Sequence, residues 1–197
     1  YHARAAIAAT VDVILSRSIT GNSIGAKLTI PQGTLFTDSN GNSWLSARDV
    51  TWYSNVTTCK VPIIQHERYT ASALNNMVIP TGDRVILNLG TLPNGKYYEQ
   101  GSMSLQIGGE TWVLVDTFAK SKPTDKHFMV SVDEALNPYI MFGDGTFGKK
   151  PAAGAKITNV VFYLTNGTQG NVKSNTITSV PSVISSSITD ATVSNAY

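Results

Sequence analysis

One cysteine, Cys59, stands in 197 residues. That excludes an intramolecular disulfide and every multi-cysteine metal pattern, and it fits a reducing compartment. Charge is also sparse: fifteen Lys and Arg face thirteen Asp and Glu, for a formal net charge of +2. No basic excess is present to hold nucleic acid or a membrane surface, so neither partner is expected. No run of about 18 apolar residues is long enough to cross a bilayer, and membrane insertion is not expected either. The chain opens Tyr1-His2-Ala3-Arg4 without an initiator Met or an apolar signal core. It reads as a piece of a longer soluble protein. A chain of this length can bury a core without metal or disulfide, as one domain or two small ones.

Clusters that carry chemistry are missing as well. His66-Glu67 and Asp125-Lys126-His127 bring titratable groups together, but neither has the H-x-x-x-H spacing of a metal site or a paired carboxylate for acid–base work. They read as surface polar residues. Asp133-Glu134 are adjacent, and on a strand adjacent side chains face opposite ways, so they could not flank one substrate. There is no G-x-S-x-G elbow, and nothing in the sequence ties a Ser to a His. No catalytic residue, metal ligand, cofactor or small-molecule substrate is expected. Two N-x-[ST] sequons, Asn55-Val56-Thr57 and Asn166-Gly167-Thr168, read as chance in an Asn- and Thr-rich chain.

What the sequence does contain is alternation and turns. The segment "RAAIAATVDVILSR" is the exception: Ile7, Val11, Ile14 and Leu15 fall at i, i+4, i+7 and i+8, which predicts a helix. Arg17 would sit in its last turn and Gly21 would stop it. Beyond it the period becomes two. Val85, Leu87 and Leu89 in one stretch, and Phe128, Val130 and Val132 in another, each share a face as in half-buried strands. Asn40-Gly41, Asn94-Gly95, Gly108-Gly109 and Asn166-Gly167 suit tight turns at positive φ. A Gly108-Gly109 turn sets Leu105 opposite Trp112 and Met103 opposite Leu114, and an Asn40-Gly41 turn sets Phe36 opposite Leu45. "SVPSVISSSITDATVSNAY" reads as an edge strand or a tail. The expected fold is mainly β with one N-terminal helix (α+β by strict count), built of antiparallel sheets with tight hairpins. The expected division is an N-terminal helix at 1–22, a β core from 23–74 with 140–197, and an inserted β module at 75–139.

"MFGDGTFGKKPAAG" carries Gly143, Gly145 and Gly148 at the spacing of nucleotide-binding loops. A dinucleotide turn needs a helix after the third glycine, whose N-terminus holds the pyrophosphate. Here Pro151 and Gly154 follow at once and stop a helix, and no acidic residue stands about 20 positions on. A kinase reading fails too, because no H-R-D or D-F-G element is present. The glycines therefore read as a tight loop after a strand. Gly143 and Gly145 would be left-handed, the Asp144 carboxylate would accept local backbone N–H groups, and Phe142 and Phe147 would anchor the loop to the core.

Residues 139–172, "YIMFGDGTFGKKPAAGAKITNVVFYLTNGTQGNV", resemble the signature of phage baseplate wedge proteins of the J-like family, which includes the large wedge subunit of T-even-like contractile-tailed phages. The matching residues are Phe142, Gly143, Asp144, Gly145, Gly148, Pro151, Gly154, Tyr163, Gly170, Asn171 and Val172. Upstream, Ile30, Pro31, Gly33 and Thr34 match an I-P-x-G-T turn, whereas His66 stands where that family has Gly. The family's continuation beyond this region does not follow before Tyr197. The resemblance implies a structural, non-enzymatic subunit that binds copies of itself and other baseplate wedge subunits. It would be assembled in the bacterial host cytoplasm and located in the virion, in the tail baseplate. The rival reading is a carbohydrate-binding or adhesin-like β module, with Trp44, Trp52, Tyr53, Tyr97 and Tyr98 as an exposed sugar platform.

Overall fold

A computed structural model describes residues 5–18, 27–167 and 171–196. The chain divides into two compact units, one of Tyr1–Ile7 with Arg68–Thr165, the other of Ala8–Glu67 with Asn166–Tyr197. Each has its own hydrophobic core. The internal stretch Arg68–Thr165, here the inserted stretch, takes in the 75–139 read from the sequence as an inserted module.

The outer unit starts with β1 (Thr10–Ser16), β2 (Leu28–Ile30), β3 (Leu35–Thr37), β4 (Ser43–Ser46), β5 (Val50–Trp52) and β6 (Thr58–Ile64). From the unit boundary onward come β7 (Glu67–Thr70), β8 (Ile86–Asn88), β9 (Tyr97–Tyr98), β10 (Ser104–Ile107), β11 (Glu110–Leu114), β12 (His127–Val132), β13 (Pro138–Phe142) and β14 (Ile157–Thr165). The chain then adds α1 (Ser182–Ser185) and β15 (Thr192–Asn195).

The expected N-terminal helix is a strand. β1 pairs with β6 on one side and β15 on the other, with Val13 facing Val61 and Asn195. Its side chains alternate, and Val13 and Leu15 are fully buried. Val11, Val13 and Leu15 fit period two as well as Ile7, Val11 and Ile14 fit a helix. Two partner strands and the β-branched Thr10, Val11, Val13 and Ile14 decide between the periods. Arg17 caps no helix: its guanidinium donates to the carbonyls of Tyr53 and Val56 and lies over the Trp52 ring. Gly21 lies outside the described residues. Among the described residues the α-helix is the single turn α1, after Pro181.

The five-stranded sheet of this unit runs β15-β1-β6-β4-β3, and β2 pairs separately with β5. β15 is an edge strand, one of the two readings of the C-terminal segment. In the β3–β4 hairpin, Phe36 faces Trp44 rather than Leu45. The Asp38 carboxylate explains the shift. It accepts from the Asn40 and Asn42 N–H groups, from Asn42 Nδ2 and from Trp44 Nε1, wrapping a three-residue loop with Gly41 at φ 80°.

The sheet of the inserted unit runs β7-β14-β10-β11-β12-β13-β8, with β9 beside β14. From β14 to β8, and between β9 and β14, its pairs are antiparallel except β11 with β12, which are parallel. The Gly108-Gly109 turn forms as expected, both glycines at positive φ and Leu105 opposite Trp112. Phe128, Ile140, Phe142, Phe162 and Trp112 fill the core beneath this sheet.

Candidate assembly surface

The F-G-D-G loop leaves β13 and turns back on itself. A Cβ on Gly143 would lie 2.3 Å from the Gly148 carbonyl oxygen, so only glycine fits this approach. Gly145 and Gly148 have φ of 93° and 83°, whereas Gly143 does not have the expected left-handed conformation. Its glycine serves proximity instead. The Gly145 N–H donates to the Gly148 carbonyl at 3.0 Å and closes the loop. Asp144 behaves as expected: Oδ1 accepts from the Thr146 and Phe147 N–H groups at 2.8 and 2.9 Å. The bond from Phe147, then that from Thr146, holds its carboxyl below the ordinary carboxylate range, and Arg84 adds a smaller pull. Phe142 is buried, but Phe147 is 54% exposed and anchors nothing in the core.

No helix follows Gly148. Pro151 is buried, Gly154 is left-handed and donates its N–H to the Ile79 carbonyl, and the chain then enters β14. The loop thus offers no helix N-terminus to a phosphate. Tyr163 lies in β14, its N–H bonded to Ser102 Oγ. Asn171 and Val172 belong to the other unit, so the 139–172 stretch straddles the boundary at Thr165. Gly170 lies outside the described residues.

What the loop does form is a wall. A groove of about 540 Å³ lies beside it, lined by the Ile86, Met141 and Met129 row and by Phe118, Asp144 and Phe147. The floor is a row across three strands: Met141 pairs with Ile86 on β8 and with Met129 on β12. Phe118 also touches the loop, its ring 3.3 Å from where a Gly148 Cβ would stand. Arg84 completes the rim and makes no hydrogen bond or ion pair among the described residues. Concave apolar surface with few polar groups is what binding sites are made of. A signal for it was present in sequence. On β12 and β13 one methionine each, Met129 and Met141, stands on the face opposite Phe128 and Val132 and opposite Ile140 and Phe142.

The remaining candidates do not assemble into a site. His127 Nδ1 lies 2.8 Å from Ser121 Oγ, a pairing invisible in sequence, but Ser121 is buried and the contact uses the nitrogen nearer the backbone. Asp125 accepts from the Lys122 N–H, and Asp133 from those of Ala135 and Asn137, as turn-forming carboxylates. His66 sits at the bend between β6 and β7, its N–H bonded to the Ile64 carbonyl. Among the described residues no group of three His, Cys, Asp or Glu is placed to hold a metal. The aromatic platform is not assembled: Trp44, Trp52 and Tyr98 are core residues, and burial pushes the Tyr98 phenol up to about 12. Tyr53 is exposed and Tyr97 half-buried, and these two belong to different units. No protein-family model matches the chain, and no curated protein matches it.

Proposed function

We propose that the chain is a structural subunit of a contractile-tail baseplate wedge, working through protein–protein assembly with other wedge subunits and copies of itself. On this reading it is a virion component assembled in the bacterial host cytoplasm and performs no catalysis. One observation carries the proposal beyond the sequence resemblance: the glycines of the F-G-D-G motif are spent on the loop's own closure, Gly143 against Gly148. The loop they close is left as one wall of an exposed apolar groove. A motif that shapes a contact surface suits an interlocking part; one that presents free N–H groups to a phosphate would suit an enzyme. The sugar-binding alternative loses its main support, since three of its five rings are buried.

The test is composition. Contractile-tail particles purified from the strain that encodes this chain should contain it at a fixed ratio to the sheath subunit by quantitative mass spectrometry. Particles complete and infectious without it would refute the assignment.

A further inference from the structure

We infer that the groove beside the F-G-D-G loop receives an extended peptide segment of a partner, which adds as a strand to the free edge of β8. The segment places a large apolar side chain on the Ile86–Met141–Met129 floor and an acidic residue against Arg84. This deepens the assembly reading and rests on it.

The edge is the first observation. β8 ends its sheet, with β13 as its neighbour. The Phe142 N–H donates to the Val85 carbonyl, and the Leu89 N–H to the Pro138 carbonyl. With Leu87 opposite Ile140, residues 85, 87 and 89 therefore direct their N–H and C=O toward β13. Ile86 and Asn88 must direct theirs outward, where no partner takes them among the described residues. Two residues of this kind offer up to four main-chain hydrogen bonds to an added strand. Neither Pro nor an inward charge blunts the edge, the usual protections of a strand that must stay unpaired.

The groove is the second. Ile86 is both an edge residue and part of the floor, so a strand beside β8 lies at the groove's margin. Side chains alternate along a strand, so every second residue of the added segment faces the floor. Two methionines there give it an adaptable surface suited to an aromatic or long aliphatic side chain.

Charge chooses the flank. Lys150 is within 3.9 Å of Asp83, whereas Arg84 makes no ion pair among the described residues and feels the Asp144 carboxylate only weakly, since that group's Oδ1 is held by its own loop. An acidic residue on the segment completes Arg84, as a guanidinium–carboxylate pair.

The probe is a set of fluorescein-labelled ten-residue peptides alternating Thr with Phe or Leu, ending in Glu-Glu, Gln-Gln or Lys-Lys. Anisotropy with the whole chain should rank them Glu above Gln above Lys, by roughly threefold per step, as exposed ion pairs allow. Arg84→Glu should reverse the order, and Met141→Lys should abolish binding of all three. Bound peptide should slow hydrogen exchange at the Ile86 and Asn88 amides. No binding at millimolar peptide, or an order unchanged by Arg84→Glu, would overturn the inference. So would binding that leaves both amides unprotected, which would mean that the peptide occupies the groove without adding as a strand to β8. Particle composition tests the baseplate reading separately, so failure of either is distinguishable from failure of the other.

Discussion

Replacing Gly143 by Ala adds one methyl group where the loop has no room for it. At 2.3 Å from the Gly148 oxygen and 2.4 Å from its carbonyl carbon, the new Cβ meets backbone on both contacts. Flexible side chains could swing away, but here the chain itself must move by about 1 Å to restore ordinary contact. That movement breaks the Gly145-to-Gly148 hydrogen bond, worth about 0.5–1.5 kcal/mol, and overpacking adds about 1–3 kcal/mol. The expected cost is about 1.5–4.5 kcal/mol. The backbone angle contributes nothing, because Gly143 is not at positive φ. Elsewhere a Gly→Ala change at such an angle gains about 0.4–1 kcal/mol by stiffening the unfolded chain, so the sign is informative. Urea unfolding followed by hydrogen-exchange mass spectrometry reads each unit separately, which matters in a chain with two cores. Peptides from 127–164 should lose protection at lower urea, and those from 28–64 should not. An unchanged or higher midpoint for 127–164 would refute the close-approach argument.

Other outcomes follow from the same structure. Asp144→Ala should speed hydrogen exchange at the Thr146 and Phe147 amides while Asp144→Asn preserves their protection; equal rates in both variants would remove the turn account. Burial alone would raise the Asp38 carboxyl, but bonds from Trp44 and Asn42 and the backbone N–H groups outweigh it and hold the group below its ordinary 3.8. A depressed folded value means that its stabilisation is fully present above about pH 4 and is lost as pH falls through the folded value. The outer unit should therefore weaken in acid, and Asp38→Ala should cost about 1–3 kcal/mol at neutral pH by stranding the Trp44 N–H, as a urea melt would show. Burial pushes the Cys59 thiol up, against a smaller opposing pull from Arg17. Ellman's reagent should label it slowly in the native chain and at once in urea, and fast native labelling would contradict its placement. Equilibrium dialysis against millimolar ATP or NAD should show no saturable uptake.

Local turn chemistry was legible in the sequence. Gly108-Gly109 fixed its hairpin because two glycines at positive φ and an aliphatic–aromatic pair pointed to one register. The Asp144 turn was legible for the same reason, being settled within four residues. β1 was not, since its identity rests on Thr58–Ile64 and Thr192–Asn195, far along the chain, while its own residues satisfy both periods. The β3–β4 register slipped by one because the buried Asp38 carboxylate, not the Asn-Gly dipeptide, sets the loop length. The groove lay further out of reach. Its floor joins Ile86, Met129 and Met141 across β8, β12 and β13, and only strand order makes them neighbours.

If the chain is part of a tail baseplate, as proposed, its place in the particle is at the distal end of the tail. Gold-conjugated antibody raised against the 197-residue chain, applied to contractile-tail particles from the encoding strain and viewed in negative stain, should mark the distal end of the tail and spare the sheath and head. Particles that stay unlabelled while the antigen collects on the bacterial surface would contradict the account.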